Sequence, residues 1–278
     1  MKKEQTIWDK IQNIDYRWLY LLLLAFTIIP IVRPLGLPVV VSEPTKDFCR
    51  TLTQLPPGSV VACSFAGSAA LLDEQEAQFL ATYKILFSRD LKVIIYCPNS
   101  DAPVILNTML PPIVGQYNKE YGVDYVNLGY APLGEPGEAA FAAGIRSVFP
   151  SDYYGTPLDQ IPMMKDIKDQ SNIDLIWFQY TSCTDVEWVI RQWVVPYNKP
   201  AIITTLGCCG PMAAPYYPTQ IQGFLSGSGM GTEIEVFSGF PGPGAVASDA
   251  KNLTILPFLL FFFLGNLGYF GKKLKWGG

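Results

Sequence analysis

Two unbroken apolar runs lie near the ends of the chain, WLYLLLLAFTIIPIV at Trp18–Val32 and LTILPFLLFFFLGNLGYF at Leu253–Phe270; between them short apolar runs alternate with amphipathic ones. The second run has no polar face and is followed by KKLKW. A helix apolar all round with a basic flank predicts a membrane span over 253–271 rather than a core helix. As a helix the first run covers only about 24 Å. Arg17 and Arg33 can snorkel from its ends, and Tyr16, Trp18 and Tyr20 suit an aromatic belt, so a thin-fitting span is predicted over 17–34, with Pro30 distorting its last turn. No small-x-small cleavage site follows it, which argues against a removed signal peptide.

The interior reads as strand and helix in turn. SVVACSF, LKVIIYC, VDYVNLGY, IDLIWFQY and AIITTL are short β-rich runs bounded by turn residues, as buried strands are. Helical patterns follow them in DEQEAQFLATYKILFSR, in the stretch from Ala102 to Tyr121, in EPGEAAFAAGIRSVF and in DVEWVIRQWVV. About five strands alternating with helices predict an α/β domain over 56–238, an open, largely parallel, Rossmann-like sheet with helices on both faces. The proline-punctuated RPLGLPVVVSEP predicts an extended neck over 35–55. The segment from Ser226 to Ser248, rich in Gly and Pro, reads as loop, with a linker at 239–252 leading to the second span. Residues 1–16 and 272–278 are then short tails.

Charge adds an orientation and removes a partner. Lys2, Lys3, Lys10 and Arg17 precede the first span, and Lys272, Lys273 and Lys275 follow the second, so both termini are expected in the cytoplasm and the domain outside. Arg33, Lys46, Arg50 and Lys251 reduce that asymmetry. The net charge of −4 and the lack of a Lys/Arg block exclude nucleic acid as the expected partner, leaving the bilayer and other membrane subunits or further copies of the chain.

The chain has no histidine, which rules out Ser-His-Asp and Cys-His machinery and every His-ligated metal site. No phosphate loop is present: GSGMG at Gly227–Gly231 is not expected to open a helix, and GEPGEAAFAAG lacks dinucleotide spacing. Of six cysteines, Cys63, Cys97, Cys183, Cys208 and Cys209 fall at or just past the carboxyl ends of predicted strands. Three readings stay open for them: small buried hydrophobes, one disulfide, or a soft-metal site. The buried-hydrophobe reading leads, so no metal and no cofactor is predicted.

In parallel α/β sheets ligands favour the carboxyl ends of strands, which nominates Ser64, Cys97, Tyr130, Tyr153 and Cys208 as ligand contacts. The long segment PSDYYGTPLDQIPMMKDIKDQSN carries Tyr153, Tyr154, Met163 and Met164, and PMAAPYYPTQ carries Tyr216 and Tyr217. Aromatics and methionines on surface loops suit partner contact, with packing onto their own domain as the alternative. Asp152 beside Thr156 is expected to organise a turn.

The runs IDYRWLYLLLLAFTIIPIVRPLGLPVVVS, KEYGVDYVNLGY, FPSDYYGTPLDQIPMMKDIK and YYPTQIQGFLSG resemble an uncharacterised family of prokaryotic membrane-anchored α/β proteins. The resemblance implies an anchor, an α/β domain and a terminal helix, and carries no activity. Relatives tend to have small polar residues where this chain has Gly207, Cys208, Cys209 and Gly210. The expected function is a membrane-anchored structural or accessory subunit whose α/β domain mediates assembly with itself or other membrane proteins, with an enzyme the less expected reading. The alternative is a ligand-binding or enzymatic domain working at the sheet's carboxyl edge.

Overall fold

The computed structural model describes residues 7–33, 35–132 and 134–274, so Lys2, Lys3 and Lys275 of the basic tails lie outside the described residues. It divides into two units, one made of the residues up to Pro38 with those from Ala245 on, the other Val39–Gly244.

In the first unit, α1 (Ile7–Gln12) and α2 (Tyr16–Val32) come from the start of the chain. Asp15 caps α2 by accepting from the Arg17 amide at 2.9 Å.

The second unit begins with extended chain only as far as Ser42, then turns into α3 (Glu43–Gln54). This corrects the neck expected over 35–55. Pro44 sits in the first turn, where its missing N–H costs nothing, and Thr45, Phe48, Cys49 and Leu52 form a buried stripe at helical spacing. There follow β1 (Val60–Phe65), α4 (Leu72–Ser88), β2 (Lys92–Cys97), α5 (Ala102–Gln116), β3 (Tyr125–Tyr130), α6 (Glu135–Ala143) and α7 (Ile145–Val148). Next come β4 (Leu175–Gln179), α8 (Val186–Val189) running through a π-turn at Ile190–Val194 into α9 (Val195–Tyr197), and β5 (Ala201–Thr205). The unit closes with α10 (Gly210–Ala213), β6 (Gly223–Ser226) and α11 (Gly227–Ser238).

The fold is α/β, with six parallel strands in the order β3-β2-β1-β4-β5-β6. The sixth strand, absent from the sequence reading, has four residues, too few to show a period. Alternation divides the core. Val60, Ala62, Ile94, Tyr96, Ile176 and Phe178 face α6, α7 and α8, whereas Val61, Cys63, Phe65, Ile95, Cys97 and Trp177 face α3, α4, α5 and α11.

The long segment before β4 is not a free loop. Its short 3-10 turns bury Leu158, Ile161, Met163, Met164 and Ile167. Backbone bonds from Tyr153 to Asn127 and from Met163 to Gly122, both 2.9 Å, fasten it along edge strand β3, which would otherwise offer an open ladder. The Arg146 guanidinium holds it from the other side, donating to the carbonyls of Met164 (2.7 Å) and Ile167 (2.9 Å) and to Asp159 (2.8 Å). Asp152 does organise the turn, accepting from the amides of Tyr154 and Thr156 and from the Tyr121 hydroxyl. Met163 and Met164 are thus core residues, and their nomination as partner contacts is corrected: their apolar area is spent inside the domain.

After α11 the chain enters α12 (Pro243–Lys273), so the linker expected at 239–252 is helical from Pro243 on. Among the described residues this is the one helix long and apolar enough to cross a membrane, while α2 is apolar but shorter. Within the first unit, the Asp249 carboxylate accepts the amides of Leu35, Gly36 and Leu37 at 2.8, 2.9 and 3.0 Å, and Lys272 pairs with Asp9 at 2.6 Å.

Candidate ligand site at the carboxyl edge of the sheet

β1 and β4 are neighbours whose outgoing connections leave on opposite faces, α4 on one and α8 on the other. In open α/β sheets ligands favour the place where such connections diverge, which here is the carboxyl ends of β1 and β4. Two groups of polar side chains lie buried there.

On the α6 face the centre is Glu138, 1% exposed. Its carboxylate accepts from the Tyr96 hydroxyl (2.8 Å), the Trp193 indole N–H (3.3 Å) and, at 3.5 Å, the Ser64 hydroxyl. Strands β1 and β2, helix α6 and the π-turn each contribute one member, and π-turns are frequent where a helix must redirect a side chain at a functional site. Burial lifts the Glu138 carboxyl to about 7, against the pull of its three donors, with Asp185 adding to the rise. Glu135, in the same first turn, moves the other way to about 2, because the Arg191 guanidinium and then Gln192 hold its charged form. The Tyr96 hydroxyl beside Glu138 is raised as well, by burial and by the carboxylate, and the Tyr180 hydroxyl of the same core cluster is raised by burial.

On the α4 face lie Gln75, Gln78 and Gln179. The Gln78 amide donates to the carbonyls of Thr205 (3.3 Å) and Gly227 (2.8 Å), tying α4 to the ends of β5 and β6. Its own oxygen has no protein partner, nor has either end of the Gln75 and Gln179 amides. Gln179 closes β4, paired in register with Phe65 on β1 and Thr204 on β5; its neighbour Tyr180 turns to the opposite, α6 face and sits against Thr205, both hydroxyls lacking a well-formed bond. All five residues are buried. Buried polar groups are nearly always paired, since an unpaired one costs about 1–3 kcal/mol.

The backbone here is tightly drawn. Gly227 has φ of +65°, and a Cβ on it would come within 2.9 Å of the Gly207 Cα; the Gly207 amide in turn donates to Glu74 at 2.9 Å. The GSGMG run does open a helix, contrary to expectation, because Gly227 supplies the left-handed turn at its start.

Sulfur collects at the same edge. Cys183, after β4, forms a disulfide with Cys209, after β5, while Cys208 stays free and exposed with its Sγ 3.7 Å from that of Cys209. Cys49, Cys63 and Cys97 are free and buried, and burial raises all three thiols. The reading as small hydrophobes therefore fits these three, and the disulfide reading fits the pair.

The residues nominated from sequence do not converge. Ser64 points to the α6 face and Cys97 to the α4 face, because alternate strand positions face opposite ways. Tyr130 and Tyr153 stand at edge strand β3, with the Tyr153 ring against Gly129, and Cys208 follows β5, four strands or about 19 Å across the sheet. Of the aromatic nominees, Tyr153 and Tyr154 are exposed, whereas Tyr216 and Tyr217 are half-buried and the Tyr217 hydroxyl is tied to Asp47 at 2.6 Å. Sequence reasoning missed Glu138, Tyr96, Trp193 and the three glutamines. Glu138 left a signal, since it precedes Phe141 and Ala142 by three and four positions and so shares their apolar face.

No protein-family model and no curated protein matches the chain. Among solved structures it is similar to one described as the crystal structure of AibC, at 9% identity and a TM-score of 0.32, over 80% of this chain and 54% of that one. The chain thus spans about half the length of that structure, and nothing of that protein's chemistry carries over at such a likeness.

Proposed function

We propose that this protein is a membrane-anchored α/β domain that holds a small polar ligand at the carboxyl ends of β1, β4 and β5. The observation that carries this reading is the set of unpaired buried amide groups on Gln75, Gln78 and Gln179, which share the α4 face of the sheet. Amides offer a donor and an acceptor each, and the charged group beside Gln75 is the acid Glu74, which accepts from the Gly207 amide. That chemistry favours a neutral polyol or amide-bearing compound over a phosphate. With no histidine in the chain, binding is favoured over turnover.

The test is a thermal-shift screen of the full chain in mild detergent against neutral polyols, amides and phosphates, with Gln75→Leu/Gln179→Leu as the control. A neutral compound that stabilises the wild type and leaves the control unmoved supports the reading. It is refuted if no neutral compound acts, or if the control responds equally.

The anchoring is proposed as two spans, α2 and the apolar part of α12, with both termini cytoplasmic and the domain outside, as in a prokaryotic cell membrane. Cys208 is the free exposed thiol of the domain, whereas Cys49 is buried, so a membrane-impermeant maleimide should label Cys208 on intact cells. Labelling only after lysis would reverse the orientation.

A second reading, an accessory subunit that assembles with itself or with other membrane proteins, is favoured by Tyr130, Tyr153 and Tyr154. They are 48%, 42% and 66% exposed near one edge of the sheet. Mass measurement in detergent tests it: a complex that dissociates in Tyr153→Ser/Tyr154→Ser supports assembly, and a monomer for the wild type removes it.

A further inference from the structure

We infer that Cys183, Cys208 and Cys209 form a redox-gated site for a soft divalent cation such as Zn²⁺, closed in the disulfide form and opened by reduction. The three sulfur atoms lie within 4.8 Å of one another, brought from two segments that follow adjacent strands β4 and β5. Tetrahedral zinc with sulfur at about 2.3 Å sets its ligands about 3.8 Å apart. The Cys208 and Cys209 sulfurs stand 3.7 Å apart already, so the adjacent pair fits that edge of a tetrahedron. Cys183 completes a face once its bond to Cys209 is broken.

Local structure supports this geometry. Cys208 and Cys209 lie in a tight 3-10 turn at Gly207–Cys209, held by the bond from Gly207 to Glu74 and by the Ser226 hydroxyl donating to the Leu206 carbonyl at 3.1 Å. The turn brings two consecutive side chains to one side, which an extended strand would not do. Cys209 is fully buried, Cys183 is partly exposed and Cys208 is exposed, so a cation would enter from the Cys208 side and keep its fourth position open to solvent or to a further ligand.

The chemistry balances with a dithiol as reductant. Two electrons and two protons pass to the Cys183–Cys209 bond, giving two thiols while the reductant closes its own disulfide. Zn²⁺ then displaces the protons of all three thiols. In an oxidising compartment the disulfide persists and the site stays shut; under reducing conditions it opens. The site stands whether or not the glutamines at the sheet's carboxyl edge hold a polar ligand.

The test uses the full chain in detergent under argon, oxidised or reduced with a phosphine, titrated with Co²⁺ as a spectroscopic stand-in for Zn²⁺. The reduced wild type should take up one equivalent with thiolate-to-cobalt charge-transfer absorption, lost on adding Zn²⁺, and the oxidised protein should show none. Cys208→Ser leaves the disulfide and the buried core intact, so it should fold as the wild type does, yet bind Co²⁺ at least tenfold more weakly when reduced. The inference is overturned if the reduced wild type gives no charge-transfer band, if reduced Cys208→Ser binds as tightly as wild type, or if oxidised and reduced protein bind alike.

Discussion

Replacing Glu138 with glutamine should flatten the pH dependence of stability between about pH 4.5 and pH 7. Burial raises this carboxyl from 4.5 to about 7, so in that interval the folded chain holds a proton that the unfolded chain has released. Stability therefore falls as pH rises: the contribution is complete below about 4.5, declines through the interval and is gone above about 7. At roughly 1.4 kcal/mol per unit, the change amounts to about 3 kcal/mol. Glutamine keeps the shape and the main bonds, since its oxygen can accept from Tyr96 and Trp193 and its nitrogen can donate to the Ser64 hydroxyl. Asp185, also raised by burial, pushes in the same direction, so the comparison of wild type with variant decides the matter rather than the wild-type slope alone. Urea unfolding of the full chain in detergent, followed by the fluorescence of buried Trp177 and Trp193 at half-unit pH steps, measures both. Parallel pH profiles for wild type and Glu138→Gln would refute the reasoning.

Three further outcomes follow from the packing. Met164→Ala should lower unfolding stability by about 2–5 kcal/mol, as for any fully buried side chain, whereas an exposed partner contact would lose less than about 0.5 kcal/mol. Gly227→Ala should cost about 2 kcal/mol or more, because its φ is +65° and its Cβ would press on Gly207; a midpoint equal to wild type would show that the turn yields freely. Arg146→Met removes three donated hydrogen bonds from the segment along β3, and limited proteolysis should then cut between Phe149 and Ile173 at least several-fold faster, with an unchanged rate counting against that role.

Local pattern carried a good part of this protein. Runs such as SVVACSF and LKVIIYC are buried on both faces and so stay apolar throughout, which makes a parallel-sheet strand visible wherever it is long enough. The same holds for the apolar stretch of α12 and for the missing histidine, since both are properties of composition. What tertiary structure alone decided depends on which distant segments meet. The order of the strands, the four-residue β6, the meeting of Cys183 with Cys209 and the burial of Met163 and Met164 all arise from pairings across the sheet or along its edge. Glu138 and the unpaired glutamines belong to the same class: a carboxyl or an amide reads as surface in any sequence, and only the packing of α6 and α4 against the strand ends removes it from water. Periodicity records which way a side chain faces along its own element, and the partner it faces is set by the fold.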